Sequence, residues 1–140
     1  MESQNKTRMA PQNLTSQLTA LIVDDNIINQ KIHQELLKSV GVKNQGAANG
    51  KEAVDIHYHG QIFDLILMDM DMPIMNGIEA TKELRAMGIG SMIVGLSSRS
   101  KEAEIQEFME AGLDDYQEKP LTHAKFSSIL DKMNPNFTSK

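Results

Sequence analysis

The chain predicts an α/β domain in which five parallel strands form one sheet with helices on both faces. Three observations carry this. Short apolar runs and amphipathic stretches alternate five times along 140 residues, joined by short connections. The run Leu65-Ile66-Leu67-Met68 is continuously apolar, as a strand covered on both faces must be. Four of the runs end in reactive side chains: Asp24-Asp25, Asp69, Ser97 and Lys119. With right-handed crossovers throughout, the ends of all strands lie on one edge, where open α/β sheets bind ligands.

Residues 1–17 are polar, contain Pro11 and show no periodicity, so they are expected to be a mobile tail before a domain at 18–133. Residues 19–23 form the first strand, stopped by the acidic pair. Asn26 is placed to cap a helix over 27–40. Its inward face is expected to hold Asn29, Ile32, His33, Leu36, Leu37 and Val40. Ile27 and Ile28 fall off that face, beside the acids, and make a candidate docking patch. Gly41 ends the helix. Residues 43–48 form a weak second strand. Asn49-Gly50 turns into a helix over 51–58 that buries Ala53, Val54 and His57.

The central strand, 63–68, leads into Asp69, and Pro73 and Asn76-Gly77 then force a turn. A helix over 78–87 is stopped by Gly88 and Gly90. The fourth strand, 91–96, ends at Ser97-Ser98. A helix over 101–111 turns Ala103, Ile105, Phe108 and Met109 inward and Glu102, Glu104, Glu107 and Glu110 to solvent, with Ser98 and Ser100 as candidate caps. Gln117 and Glu118 make the fifth strand, 113–119, short or peripheral. After Pro120, a helix over 122–133 buries Phe126, Ile129, Leu130 and Met133, and 134–140 is a tail.

Composition narrows the function classes. Apolar residues at 40% and charged residues at 24% suit one globular core. The absence of Cys excludes disulfides and thiolate chemistry. A net charge of −5 without a basic patch argues against nucleic acid as a partner. No apolar run reaches membrane-spanning length, and the N-terminus lacks a secretory signal. A monomer in the cytoplasm, and also the nucleus, is the expectation. His57 and His59 have no third ligand nearby and fit a solvated helix end better than a metal site.

Three carboxylates on one edge repel. At about 4 Å and an effective dielectric near 20, each pair costs about 4 kcal/mol before screening. A positive group must sit among them. A hard divalent cation such as Mg²⁺ is one candidate and Lys119 is another. A carboxylate, a hydroxyl, an ammonium and a metal together suit phosphoryl transfer, with a carboxylate as the nucleophile. Asp24 and Asp25 could instead cap the first helix, but a cap needs one residue and Asn26 already supplies it.

The order and spacing of these residues resemble the receiver domain of two-component response regulators across residues 18–133. The features are Asp24-Asp25 after strand one, Asp69 with Pro73 four residues on and Asn76-Gly77 beyond, Ser97 after strand four, and Tyr116 three residues before Lys119-Pro120. The texture of Val23-Asp24-Asp25-Asn26 and Ala48-Asn49-Gly50-Lys51-Glu52-Ala53 is similar to receivers of hybrid histidine kinases and plant type-C response regulators. The resemblance implies a flavodoxin-like (βα)5 fold and Asp69 as phosphoacceptor. It implies Mg²⁺ held directly by Asp25 and Asp69, through water by Asp24, and by the backbone carbonyl of Asp71. Lys119 pairs with the phosphoryl group, Ser97 hydrogen-bonds it, Tyr116 changes rotamer with Ser97, and the Lys119-Pro120 bond is often cis.

The implied donor is a histidine phosphotransfer protein docking through the first helix at Ile27 and Ile28, with Pro120 alongside. The implied role is a stand-alone receiver with no output domain, acting as a phosphate sink or negative regulator. A phosphohistidine phosphatase activity towards the partner is a further reading. Ser97 stands where the family more often has Thr, and Ser98 where it has Ala. Asp71, with Arg99 reaching across to it, is expected to tune water attack on the phosphoaspartate. The competing function is a phosphatase of the haloacid dehalogenase type, built from Asp69, Asp71, Ser97, Lys119 and the pair Asp114-Asp115. Pro73 and the position of that pair before Lys119 count against it.

Overall fold

A computed structural model describes residues 17–98 and 101–133. Its strands are β1 (Thr19–Val23), β2 (Lys43–Ala47), β3 (Leu65–Asp69), β4 (Met92–Ser97) and β5 (Asp115–Glu118). Its helices are α1 (Ile27–Ser39), α2 (Gly50–Tyr58), α3 (Gly77–Ala86), α4 (Glu102–Glu110) and α5 (His123–Met133). Every strand pair is parallel and the order is β2-β1-β3-β4-β5. The chain leaves β1 toward one side and returns to the other at β3, so the topology switches between these two strands. Ligand crevices of open α/β sheets form at such a switch.

Alternating strand residues face two cores. Ala20, Ile22, Leu65, Leu67, Val94 and Leu96 pack under α1 and α5 with Leu37, Phe126 and Ile129. Leu21, Val23, Ile66, Met68 and Ile93 pack under α2, α3 and α4 with Ala53, Ala80, Leu84 and Phe108. All five residues of β3 are buried, as expected for a strand covered on both faces. Truncating one such Leu or Ile to Ala costs about 2–5 kcal/mol. The polar β2 and β5 are the outermost strands of the sheet, and β5 is only four residues long.

Three inward faces differ from the sequence expectation. On α1, Ile32 is 49% exposed, and the buried stripe is His33, Leu36 and Leu37. On α4, Ala103 and Met109 are exposed, Ile105 is half-buried, and Phe108 is the buried residue. A helix laid on a twisted sheet buries a narrower stripe than a full apolar face. On α2, Val54 is half-buried while Ala53 and His57 are buried. His57 is thus no solvated helix end: its ring meets Phe63 edge-on at 5.5 Å and Nδ1 lies 2.8 Å from the Ala53 carbonyl oxygen. His59 alone is exposed. Lys101, not a serine, occupies the N-cap of α4 and makes no side-chain capping bond; Ser100 lies outside the described residues.

Candidate functional site

The acidic pair is placed by the end of β1. The Asp24 N–H donates to the Ala47 carbonyl at 3.0 Å, the last rung between β1 and β2. The Asn26 N–H then donates to Asp24 Oδ1 at 2.9 Å, which turns the chain out of the sheet. The Asn26 side chain in turn caps α1, accepting from the Ile28 and Asn29 N–H groups. Asp24 is buried and Asp25 exposed.

Asp69 closes β3, with its Cα registered opposite Leu96. Beyond it the Met70 N–H donates to the Leu96 carbonyl at 2.9 Å. The following loop folds back so closely that a Cβ on Gly77 would overlap the Asp69 carbonyl oxygen and crowd Met70. Only glycine permits this approach, which starts α3 directly beside the end of β3. Asn76 and Glu79 complete a capping box there.

Lys119 follows β5 on a loop held at several points. Its N–H donates to the Ser97 carbonyl at 2.9 Å. Lys125 Nζ donates to the Glu118 and Pro120 carbonyls at 2.7 and 3.3 Å, on either side of it. The Leu121 N–H donates to His33 Nε2 at 3.3 Å. The Lys119-Pro120 peptide is cis. Lys119 Nζ thereby lies 3.0 Å from Asp24 Oδ2 and 3.0 Å from Asp69 Oδ1.

The chain therefore brings Asp24, Asp25, Asp69, Ser97 and Lys119 to one edge, as the sequence predicts. Carboxylate oxygens of Asp24, Asp25 and Asp69 lie within 4.8 Å of one another. Three negative charges stand against the one ammonium of Lys119, which pairs with Asp24 and Asp69, leaving a formal charge of −2. That imbalance and the hard oxygen donors fit a divalent cation such as Mg²⁺. Burial pushes the Asp69 carboxyl up to about 6; Lys119 pulls against this, Asp24 adds to it, and a bond from the Asp71 N–H pulls it down. Burial would lower the Lys119 ammonium, but its bonds to Asp24 and Asp69 outweigh that and hold it above its ordinary value. The His33 imidazole is pushed down by burial.

Ser97 is buried at the end of β4. The half-buried Tyr116 is hydrogen-bonded to it, while burial raises the phenol. The two residues expected to move together are thus joined. Asp71 is exposed at the mouth of the site, whereas Arg99, its expected counterpart, lies outside the described residues. Ile27 and Ile28, which follow the acidic pair along the chain, are 59% and 67% exposed, and Pro120, next to Lys119, is exposed as well.

The pair Asp114-Asp115 does not join the site. Asp115 opens β5 opposite Val94, at the far edge of the sheet. Asp114 is bound there to Arg85 and Asp115 to Lys132. The haloacid dehalogenase constellation therefore lacks its acidic pair. Sequence reasoning missed Gln30, which touches the backbone of the acidic turn. Its signal is its place one turn before His33 on α1, on the side turned toward the sheet.

The chain is similar in sequence and fold to known receiver domains. The family model for the response regulator receiver domain matches residues 20–131. A two-component response regulator of Arabidopsis thaliana is 63% identical over 119 residues, covering 85% of this chain and 86% of the relative. A solved receiver domain of a Pseudomonas aeruginosa sensor histidine kinase has a magnesium ion coordinated in its active-site cleft. It is 31% identical with a TM-score of 0.73, over 83% of this chain and 96% of that one. A third likeness is to a co-crystal of a Saccharomyces cerevisiae histidine phosphotransfer signalling protein with the receiver domain of its downstream response regulator. There the identity is 29% and the TM-score 0.76, over 84% of this chain and 89% of that one. No helix among the described residues is long and apolar enough to cross a membrane.

Proposed function

The chain belongs to the response regulator receiver domain family, and from that premise we propose that Asp69 takes a phosphoryl group from the phosphohistidine of a histidine phosphotransfer protein. The single observation that carries this is the shared ammonium: one Lys119 Nζ is 3.0 Å from both Asp24 and Asp69 at the end of the central strand. A nucleophile and a charge-neutralising cation are thus already in place.

Asp69 reacts as the carboxylate. With its carboxyl raised to about 6, it is mostly ionised at neutral pH. A carboxylate oxygen attacks phosphorus, the P–N bond to the donor histidine breaks, and the electron pair leaves with the imidazole, which is a good leaving group when protonated. Lys119 holds Asp69 Oδ1 before the reaction and lies within reach of the charge gathered on the transferred oxygens. Asp24, Asp25 and Asp69, with the backbone carbonyl of Asp71, would hold Mg²⁺, which when bound neutralises phosphoryl charge and helps align the group. The Ser97 hydroxyl then binds the phosphoryl group, giving up its bond with Tyr116, so the Tyr116 ring becomes the reporter of phosphorylation.

Ile27 and Ile28, with Pro120 across the site, form the surface on which the donor protein docks. The yeast pair of phosphotransfer protein and receiver domain supports that class of donor. Loss of the phosphoryl group to water makes the protein a phosphate sink and a negative regulator of its relay.

The test is incubation with a radiolabelled phosphorylated histidine phosphotransfer protein and Mg²⁺. Label is expected to move onto the native chain and not onto Asp69→Asn, and a label lifetime of minutes or less supports the sink. Equal labelling of both chains, or of neither, overturns the assignment.

A further inference from the structure

We propose that Gln30 is a positioning residue for the cation site, acting through the peptide that joins Asp24 to Asp25. The inference rests on the Mg²⁺ reading above and assigns a role to a side chain outside the reacting groups.

Gln30 is half-buried on α1, one turn in from the acidic pair. Its Nε2 donates to the Asp24 carbonyl at 3.2 Å and to the Ala47 carbonyl at 3.0 Å. The Ala47 carbonyl also receives the Asp24 N–H. Asp24 is therefore held at both its backbone ends, by β2 on one side and by the α1 amide on the other. This matters most for Asp25, which is exposed. With Asp24 anchored in the sheet, the orientation of the Asp24–Asp25 peptide decides where the Asp25 carboxylate points. Cation ligands tolerate displacements of only about 0.5 Å.

Gly46 makes room for this brace. A Cβ added at Gly46 would overlap the Gln30 carboxamide, with the Gln30 Cδ only 2.6 Å away. The glycine lies inside β2 opposite Ile22, where it weakens the strand by its entropy and gives nothing to pack. Strand stability alone does not call for a glycine there, whereas seating a carboxamide does. Two positions sixteen residues apart thus serve one hydrogen-bonding group.

The test is Mg²⁺ titration by calorimetry of the native chain, Gln30→Met and Gly46→Ala, with metal-free melting of each. Gln30→Met keeps the length and volume and removes the donor. It is expected to melt close to the native chain and to bind Mg²⁺ about tenfold more weakly, as when the partner that orients a metal ligand is lost. Gly46→Ala keeps the amide but takes its seat, and is expected to weaken Mg²⁺ binding likewise, which keeps the test open should Gln30→Met not fold. Mg²⁺ affinity within twofold of native in a folded variant overturns the inference, even with a lowered melting temperature, because the brace would then be merely structural. Failure of the native chain itself to bind Mg²⁺ overturns the cation site, and this inference with it.

Discussion

The two edges of the sheet both carry acids, and they treat them in opposite ways. At the edge where the strands begin, each acid has its own partners. Asp64 accepts from the Thr19 N–H and hydroxyl at 2.9 and 3.2 Å. Asp114 accepts from the Ile93 N–H and pairs with Arg85, and Asp115 pairs with Lys132. Asp64 and Asp114 thereby extend the strand ladders by one rung each. At the edge where the strands end, three carboxylates lie together and Lys119 pairs with two of them, Asp24 and Asp69. Acids with a partner each tie elements together, while acids that outnumber the cation among them keep a net negative charge that suits a ligand. The difference separates a structural edge from a reactive one.

The largest effect is expected at Lys119. Lys119→Met leaves the buried Asp24 and Asp69 without their ammonium and is expected to destabilise the metal-free protein by about 3 kcal/mol. Mg²⁺ should restore part of that loss. Denaturant melts with and without the metal check it; a loss under about 1 kcal/mol would mean the lysine is not what holds the acids together.

At the opposite edge, Arg85 also donates to the Gly112, Ile89 and Ser91 carbonyls. Arg85→Ala is expected to cost about 2 kcal/mol and to leave labelling per folded molecule unchanged. A labelling defect in that folded variant would mean the edges are coupled. Smallest of the three, Asp64→Asn keeps an acceptor for Thr19 and is expected to cost under about 1 kcal/mol with no dependence on Mg²⁺.

Much of this was legible in the sequence. The β3 run, the Asp24-Asp25 stop and the Asn-Gly turns are local signals, and alternation with helices dictates that reactive strand ends meet. What was not legible is non-local. Ile32 and Met109 continue apolar patterns yet face solvent, because only the docked geometry of a helix decides which flank of its stripe is covered. The role of Gln30 is likewise non-local, since its reason lies at Gly46 and Ala47 in another strand.

The excess of negative charge at the reactive edge costs the metal-free protein stability, and Asp69 measures that cost. Its folded carboxyl is raised, to about 6, above the ordinary 3.8. Folding therefore favours the protonated form; that contribution is complete below about pH 4 and is lost as pH rises through about 6. At pH 7 the ionised Asp69 costs the metal-free protein up to about 3 kcal/mol, taking 1.36 kcal/mol per unit. The most direct measurement is the stability of the native chain and Asp69→Asn at pH 4 and pH 7, with and without Mg²⁺. Asp69→Asn should be the more stable at pH 7 without metal, lose that advantage by pH 4, and gain less from Mg²⁺ than the native chain. An Asp69→Asn variant less stable than native at pH 7 without metal would mean that Asp69 is one more acid stabilised by its partners, and that the edge carries no such cost.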